Sequence, residues 1–256
     1  ELDLEQISSL LARSDLSAEA LRNNFQNLLS RAIQNAKIAT DLNPADPLNW
    51  MSLGRVYEAV IPFQVSGASN FSLAAYTEAV VKNPTSPEPL LAQARVFLAS
   101  TEFTKAKELL EGALKLKSNY TPAHFLLAQI EDAQGNTAAA ISRAEAAAIL
   151  SPNDIGVLFQ LGFLYYRSNK LDNSRLVFDR AVLLNQNYSN ARYFLGLIYD
   201  RLGNKVAAIE QFEFIEGLNP QNQEIKKILS NLRGGKKALS SIEPPPERRK
   251  EPPIKE

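Results

Sequence analysis

The sequence predicts an all-α solenoid of antiparallel helix pairs, and three observations carry that expectation. First, Leu161-Gly162 and Tyr165 recur 34 residues later as Leu195-Gly196 and Tyr199, while Asn169, Phe178 and Ala181 map at the same shift onto Gly203, Phe212 and Ile215. The same step backwards from Gly162 reaches Ala128 and then Ala94, and a step of 40 reaches Gly54, flanked by Trp50, Leu53 and Tyr57. Second, the apolar places inside a period fall at helical spacing, as in Leu158, Leu161, Gly162 and Tyr165, then Leu171, Ser174, Phe178 and Ala181. Third, small residues and prolines stand at fixed places. A fixed period of this length signifies repeated hairpins, each too small to bury its apolar face without a neighbour.

Residues 1–46 read as a degenerate N-terminal cap. Leu4, Ile7, Leu10 and Leu11 suit a short amphipathic helix, and Ser17 suits the N-cap of the next. Ala32, Ala36, Ala39 and Pro44 fit a second repeat helix, although Glu19 and Asn23 stand where Leu and Tyr are expected. Residues 47–86 form a repeat with six extra residues between Tyr57 and Ser72, in the apolar run Val60 to Gly67. That run either folds back onto its own helices or forms a lip with Phe63 at its tip.

Regular repeats follow at 87–120, 121–154, 155–188 and 189–222. Their eighth places hold Ala94, Ala128, Gly162 and Gly196; their twentieth hold Ala106, Ala140, Ser174 and Ala208; their twenty-seventh hold Ala113, Ala147, Ala181 and Ile215. Small residues there let two helices approach closely while aromatics fill the gaps between them. Gln134-Gly135-Asn136 and Leu202-Gly203-Asn204 supply turns. Pro44, Pro84, Pro152 and Pro220 stop second helices, because proline cannot donate to the helical ladder, with Ser118 and Gln186 as departures. Residues 223–233, with Ile225, Ile228, Leu229 and Leu232, form a capping helix that completes a solenoid over 1–233. Residues 234–256 hold five prolines among Lys, Arg and Glu, and are expected to form a disordered tail.

Trp50-x-x-Leu53-Gly54-x-x-Tyr57, with the small residue, aromatic, alanine and proline that follow, resembles the tetratricopeptide repeat (TPR) pattern, and the match covers roughly residues 13–222. The resemblance implies a right-handed superhelix whose concave groove is lined by places 2, 5, 9 and 12 of each first helix and holds peptides. Mapped onto this chain, the groove residues expected to meet a partner are Arg55, Arg95, Phe125, Gln129, Asp132, Phe159, Phe163, Tyr166, Tyr193 and Asp200, joined by Arg167 and Arg201 from the thirteenth places. Glu58 and Leu197 share the stripe. Five aromatics on a stripe that should be solvated imply an exposed apolar patch, and aromatics and arginines are the favoured anchors of interfaces. At least Phe159, Phe163 and Tyr193 are therefore expected to touch a ligand; the alternative is burial against the next unit. Family members that clamp a chaperone tail use a set of Lys and Asn side chains, which the stripe with Arg55 and Arg95 lacks. The run NPADPLNWMSLGRVYEAVIPF is further similar to the TPR region that follows the membrane part of bacterial O-antigen ligase or polymerase-like proteins, mainly over residues 20–84. That likeness implies an accessory region of a cell-envelope protein, touching a membrane only through a part of the parent lying outside this chain.

Composition narrows the chemistry. Lys plus Arg and Asp plus Glu each number 28, so no cationic excess favours nucleic acid or an anionic membrane. Cysteine is absent and His124 is the single histidine, which excludes thiol chemistry and leaves no ligand set for a zinc site. His124 stands in the tryptophan place of its repeat and reads as a packing residue. Acidic pairs such as Glu108/Glu111 read as solvated charge, and no phosphate-binding glycine motif is present. The expectation is a protein-binding scaffold with no cofactor and no catalytic residues. The chain opens on Glu1 and reads as a fragment or processed product; no apolar run approaches the roughly 18–20 residues of a spanning helix.

Overall fold

The computed structural model describes residues 6, 9, 10, 17–243 and 254. Leu4, Ile7 and Leu11 of the expected first helix lie outside the described residues, as do the five prolines of the tail and the basic run 248–250. Among the described residues there are twelve α-helices, one short 3-10 turn and no strand. In order they are α1 (Ala18–Leu42), α2 (Pro47–Glu58), the 3-10 turn Ile61–Phe63, α3 (Ala68–Lys82), α4 (Glu88–Ala99), α5 (Phe103–Leu116), α6 (Thr121–Ala133), α7 (Thr137–Leu150), α8 (Ile155–Arg167), α9 (Leu171–Leu184), α10 (Ser189–Arg201), α11 (Lys205–Leu218) and α12 (Gln223–Arg233). No helix among the described residues is long and apolar enough to cross a membrane.

Local chemistry explains the boundaries. Ser17 caps α1, its hydroxyl accepting from the Ala20 amide at 3.2 Å. Asn43-Pro44, Ser151-Pro152 and Asn219-Pro220 follow helices, and the Asp or Asn two residues after each of these prolines caps the next helix. Asp46, Asp154 and Asn222 accept from the amides of Leu48, Val157 and Glu224 at 2.9, 3.1 and 3.0 Å. Each bond satisfies an orphan N–H of a first turn. Inside the hairpins, Gly135 and Gly203 take φ of 79° and 82°, and Thr101 and Asn169 take 57° and 56° at the same place. The tight turn demands a left-handed residue, which glycine adopts without steric cost.

Cα packing divides the chain into two compact units that meet between Ala123 and His124. In the first, α1 packs on α2, α2 on α3, α3 on α4 and α4 on α5. In the second, α7 through α12 pack each on the next, and Ala128 of α6 packs with Ala140, Ile141 and Ala144 of α7. Within a hairpin the small eighth place faces the large residue of the second helix. A Cβ on Gly54 would lie 2.3 Å from the Tyr76 ring, on Gly162 2.8 Å from Phe178, and on Gly196 2.5 Å from Phe212. The buried hydroxyls of Ser72 and Ser174 donate to the carbonyls of Gly54 and Gly162 at 3.0 and 2.7 Å, which fixes the register of their hairpins.

Three regions depart from simple repetition. The segment 18–42 is one helix of 25 residues, with Leu29, Ala32, Ala36 and Thr40 buried. The inserted run folds back: Val60 is fully buried, Ile61 and Val65 join the core with Leu29 and Val56, and the Phe63 ring meets Phe25 of α1 at 5.3 Å. Within residues 236–243, expected to belong to a disordered tail, Ala238 and Ile242 are buried and Leu239 and Ser240 half-buried. Ala238 and Ile242 are buried in the core of the second unit, and the Asn231 side-chain amide donates to the carbonyls of Ala238 and Ser240 at 3.0 and 2.8 Å. A few spaced apolar residues gain burial here by docking on helices that already form a core, which the composition of the tail as a whole conceals.

Candidate partner-binding face

The stripe on the first helices is largely consumed by contacts between successive hairpins. In the first unit, Glu58 of α2 accepts from Arg95 of α4, Nε to Oε1 at 2.8 Å and Nη2 to Oε2 at 3.1 Å, and from the Tyr76 hydroxyl. Those hydrogen bonds push the Arg95 guanidinium up from its ordinary value. Burial, reinforced by the Glu58 charge, pushes Tyr76 up. The fork geometry makes the pair directional, yet both partners are partly exposed, so it contributes about 1 kcal/mol or less. Arg55 is exposed one turn away.

The second unit repeats this connection in three forms. Asp132 of α6 accepts from Arg167 of α8 at 2.8 Å. The Arg201 guanidinium of α10 lies 4.1 Å from the Tyr166 ring centroid of α8. Asp200, the twelfth place of the last hairpin, accepts from the Ala238 amide at 2.8 Å. In each case the twelfth place of one first helix meets the element that follows in the stack. The last hairpin has no further repeat, so the C-terminal segment takes that role.

The aromatics also knit. Tyr166 and Tyr193 have no exposed surface, which corrects the expectation that they present rings to a ligand. Phe194, 1% exposed, lies within 5.2–5.7 Å of the rings of Tyr166, Phe163, Phe178, Tyr193 and Phe159. The Tyr193 hydroxyl donates to Glu224 of α12 at 2.7 Å. The physical reason is the stack itself: places 5 and 12 of α8 and α10 face the neighbouring first helix or its cap. Phe159 and Phe163 keep part of their surface, stacked 6.3 Å apart with the Arg167 guanidinium 5.6 Å from Phe163. Phe125 is half-buried and Gln129 is exposed on α6.

One functional candidate lies outside the expected set. Asn190, at the second place of the last hairpin, is 5% exposed and grips the main chain of Ile254. Its Oδ1 accepts from the Ile254 amide at 3.0 Å, and its Nδ2 donates to the Ile254 carbonyl at 2.9 Å. The signal was available in sequence as an amide side chain on the same stripe. Its contact, 64 residues away, was not. Among the described residues no cluster of His, Asp and Glu could hold a metal ion.

The family model for the tetratricopeptide repeat matches residues 91–155 and 159–222, half of the chain. The chain belongs to the tetratricopeptide repeat family. Among curated proteins it resembles anaphase-promoting complex subunit 3 of Schizosaccharomyces pombe, 20% identical over 192 residues, and it spans 28% of that protein's length and 75% of its own. Among solved structures it resembles YrrB, described as a TPR protein with an unusual peptide-binding site, at 18% identity and a TM-score of 0.58, covering 75% of this chain and 95% of that one. It also resembles the Cut9–Hcn1 hetero-tetramer of the anaphase-promoting complex (17%, TM-score 0.61, 90% and 46%) and Pseudomonas aeruginosa PilF (19%, TM-score 0.60, 79% and 85%). At these identities the structural likenesses establish the fold. TPR units mediate protein–protein interaction, and the TPR fold is typically a non-catalytic scaffold.

Proposed function

We propose that this TPR chain is a non-catalytic scaffold that holds a segment of a partner protein on the first-helix face of its second unit. The observation that carries the reading is the seat at the start of α10, where Asn190 pairs with both main-chain groups of one residue. A side chain that reads main-chain groups accepts segments of many sequences, and apolar anchors around it set affinity. Phe159 and Phe163 supply partly exposed ring surface one hairpin earlier, and Gln129 supplies an exposed polar neighbour. The remaining stripe residues of the second unit, Asp132, Arg167, Asp200 and Arg201, act on this reading as stitches that hold the face in shape, as Arg95 does within the first unit. Phe63 of the first unit meets Phe25 with one part of its ring and keeps 47% of its surface exposed, so it remains a lip residue on this reading. The balanced charge favours protein over nucleic acid as partner.

The test is site-specific photo-crosslinking. A photoreactive residue at Gln129 is expected to capture a partner protein, and one at Leu183, exposed on second helix α9, is expected not to. Capture from position 183 alone rejects the face. A second reading, an accessory region of a membrane-bound O-antigen ligase-like protein, is supported by the similarity over residues 20–84. A full-length parent gene without membrane spans eliminates it.

A further inference from the structure

Resting on that reading, we infer that the C-terminal segment carrying Ile254 is a cis ligand of the face, so that a partner segment must displace it to bind.

Four observations converge on one helix. The Asn190 carboxamide oxygen accepts from the N–H of Ile254 and its nitrogen donates to the C=O of the same residue. The amide therefore recognises the main-chain groups of one residue, which stands at a bend, rather than a particular side chain. Second, Ile254 is 3% exposed and belongs to the core that includes Tyr193, Ile225 and Ile228, so a branched aliphatic side chain fills the apolar part of the seat. Third, the segment has a second anchor at the opposite end of α10, where Asp200 accepts from the Ala238 amide. Asn190 and Asp200 are ten residues apart, about 15 Å along a helix at 1.5 Å per residue. The C-terminal chain is thus pinned at both ends of α10, in the direction opposite to the helix. Fourth, Pro252 and Pro253 have no N–H to give, so donation to Asn190 from this stretch falls to Ile254.

The chemistry of the occupant defines its competitor. A partner segment that fits carries a branched aliphatic residue with a free main-chain N–H and C=O. Ile254 follows Ala238 in the same chain after a short stretch of sequence, and joining ligand and seat in one chain gives effective concentrations of about millimolar order. A partner therefore meets a seat that is vacant only part of the time, and its apparent affinity falls by that fraction. Asn190 acts on this account as a ligand-reading residue, and Ile254 as its resident.

Fluorescence anisotropy of the full-length chain with a labelled peptide of sequence ERRKEPPIKE, residues 247–256, tests the inference. The peptide is expected to bind an Ile254→Asp chain about tenfold or more tightly than the wild-type chain, because the cis segment no longer competes. Adding Asn190→Ala to Ile254→Asp is expected to abolish that gain, and Asn190→Asp, which keeps the acceptor and loses the donor, to remove most of it. The far-UV helical signal is followed in every variant, so that a lost fold is told apart from a lost seat. Equal binding to wild-type and Ile254→Asp chains, no binding to either, or gain that survives Asn190→Ala overturns the inference. If this assay fails while crosslinking from Gln129 still captures a partner, the scaffold reading stands and the cis ligand does not.

Discussion

Substituting Gly162 with alanine probes the hairpin design at a close helix–helix approach in the second unit. The new Cβ would lie 2.8, 2.9 and 3.0 Å from Cζ, Cε1 and Cε2 of Phe178. Carbon atoms prefer roughly 3.5–4.0 Å, so the ring must retreat by about 0.5–1 Å. Phe178 has nowhere to go: it is fully buried, stacked on Phe194 at 5.4 Å and edge-on to Phe159 at 5.8 Å. Overpacking of this kind costs about 1–3 kcal/mol, against a helix-propensity gain of about 0.8–1 kcal/mol for replacing glycine by alanine. The net expectation is a loss of up to about 2 kcal/mol, read as a lower urea midpoint with the helical signal retained. Gly217→Ala is the matched control, because no atom lies within 4 Å of its Cβ, and it is expected to gain about 0.5–1 kcal/mol. Shortening the ring partner with Phe178→Leu should relieve the clash, so the two substitutions are expected to couple favourably by about 1 kcal/mol. A Gly162→Ala chain that gains as much stability as Gly217→Ala, or additivity with Phe178→Leu, refutes the clash.

Further outcomes follow from the turns, the ion pair and the tyrosines. Thr101 holds φ of 57° on an exposed turn where neighbouring hairpins use glycine, so Thr101→Gly is expected to stabilise the chain by about 0.5–1 kcal/mol in urea unfolding. Tyr165 is pushed up to about 12, first by burial and then by its hydrogen bond to Glu145. The folded chain then keeps a proton that the unfolded chain gives up above about pH 10, so stability falls as pH rises from about 10 to 12. Tyr165→Phe should flatten that alkaline loss in thermal melts across the same window. Arg95→Ala removes the fork on Glu58 and is expected to cost about 1 kcal/mol. The loss should shrink at high salt, measured as the difference in midpoint from the wild type.

Repetition was legible because packing size is periodic. Gly54, Gly162 and Gly196 stand opposite Tyr76, Phe178 and Phe212, and that alternation of small and large survives as a 34-residue period in the regular repeats. Punctuation by Asn-Pro, Asp and Gly was equally plain, because caps and left-handed turns depend on a few neighbouring residues. The stripe was read less well. Helical spacing states which side of a helix Tyr166 and Tyr193 occupy, but what covers that side depends on the next hairpin, and here the cover is complete. Arg95, Arg167 and Arg201 look like rim charges in a single repeat and become stitches only when the partner helix is in place. Asn190 was hidden for the same reason, since its partner is 64 residues further along the chain. Ala238, Ile242 and Ile254 are diluted by polar and proline neighbours, so composition averaged over the tail conceals three buried side chains.

Amide hydrogen exchange at Ile254, followed by NMR in the intact chain, bears most directly on the claim that the last hairpin is a seat for main-chain groups. The account predicts that this N–H exchanges more slowly than an unstructured residue of the same sequence, and that Asn190→Ala restores the unstructured rate. Exchange at the unstructured rate in the wild-type chain contradicts it.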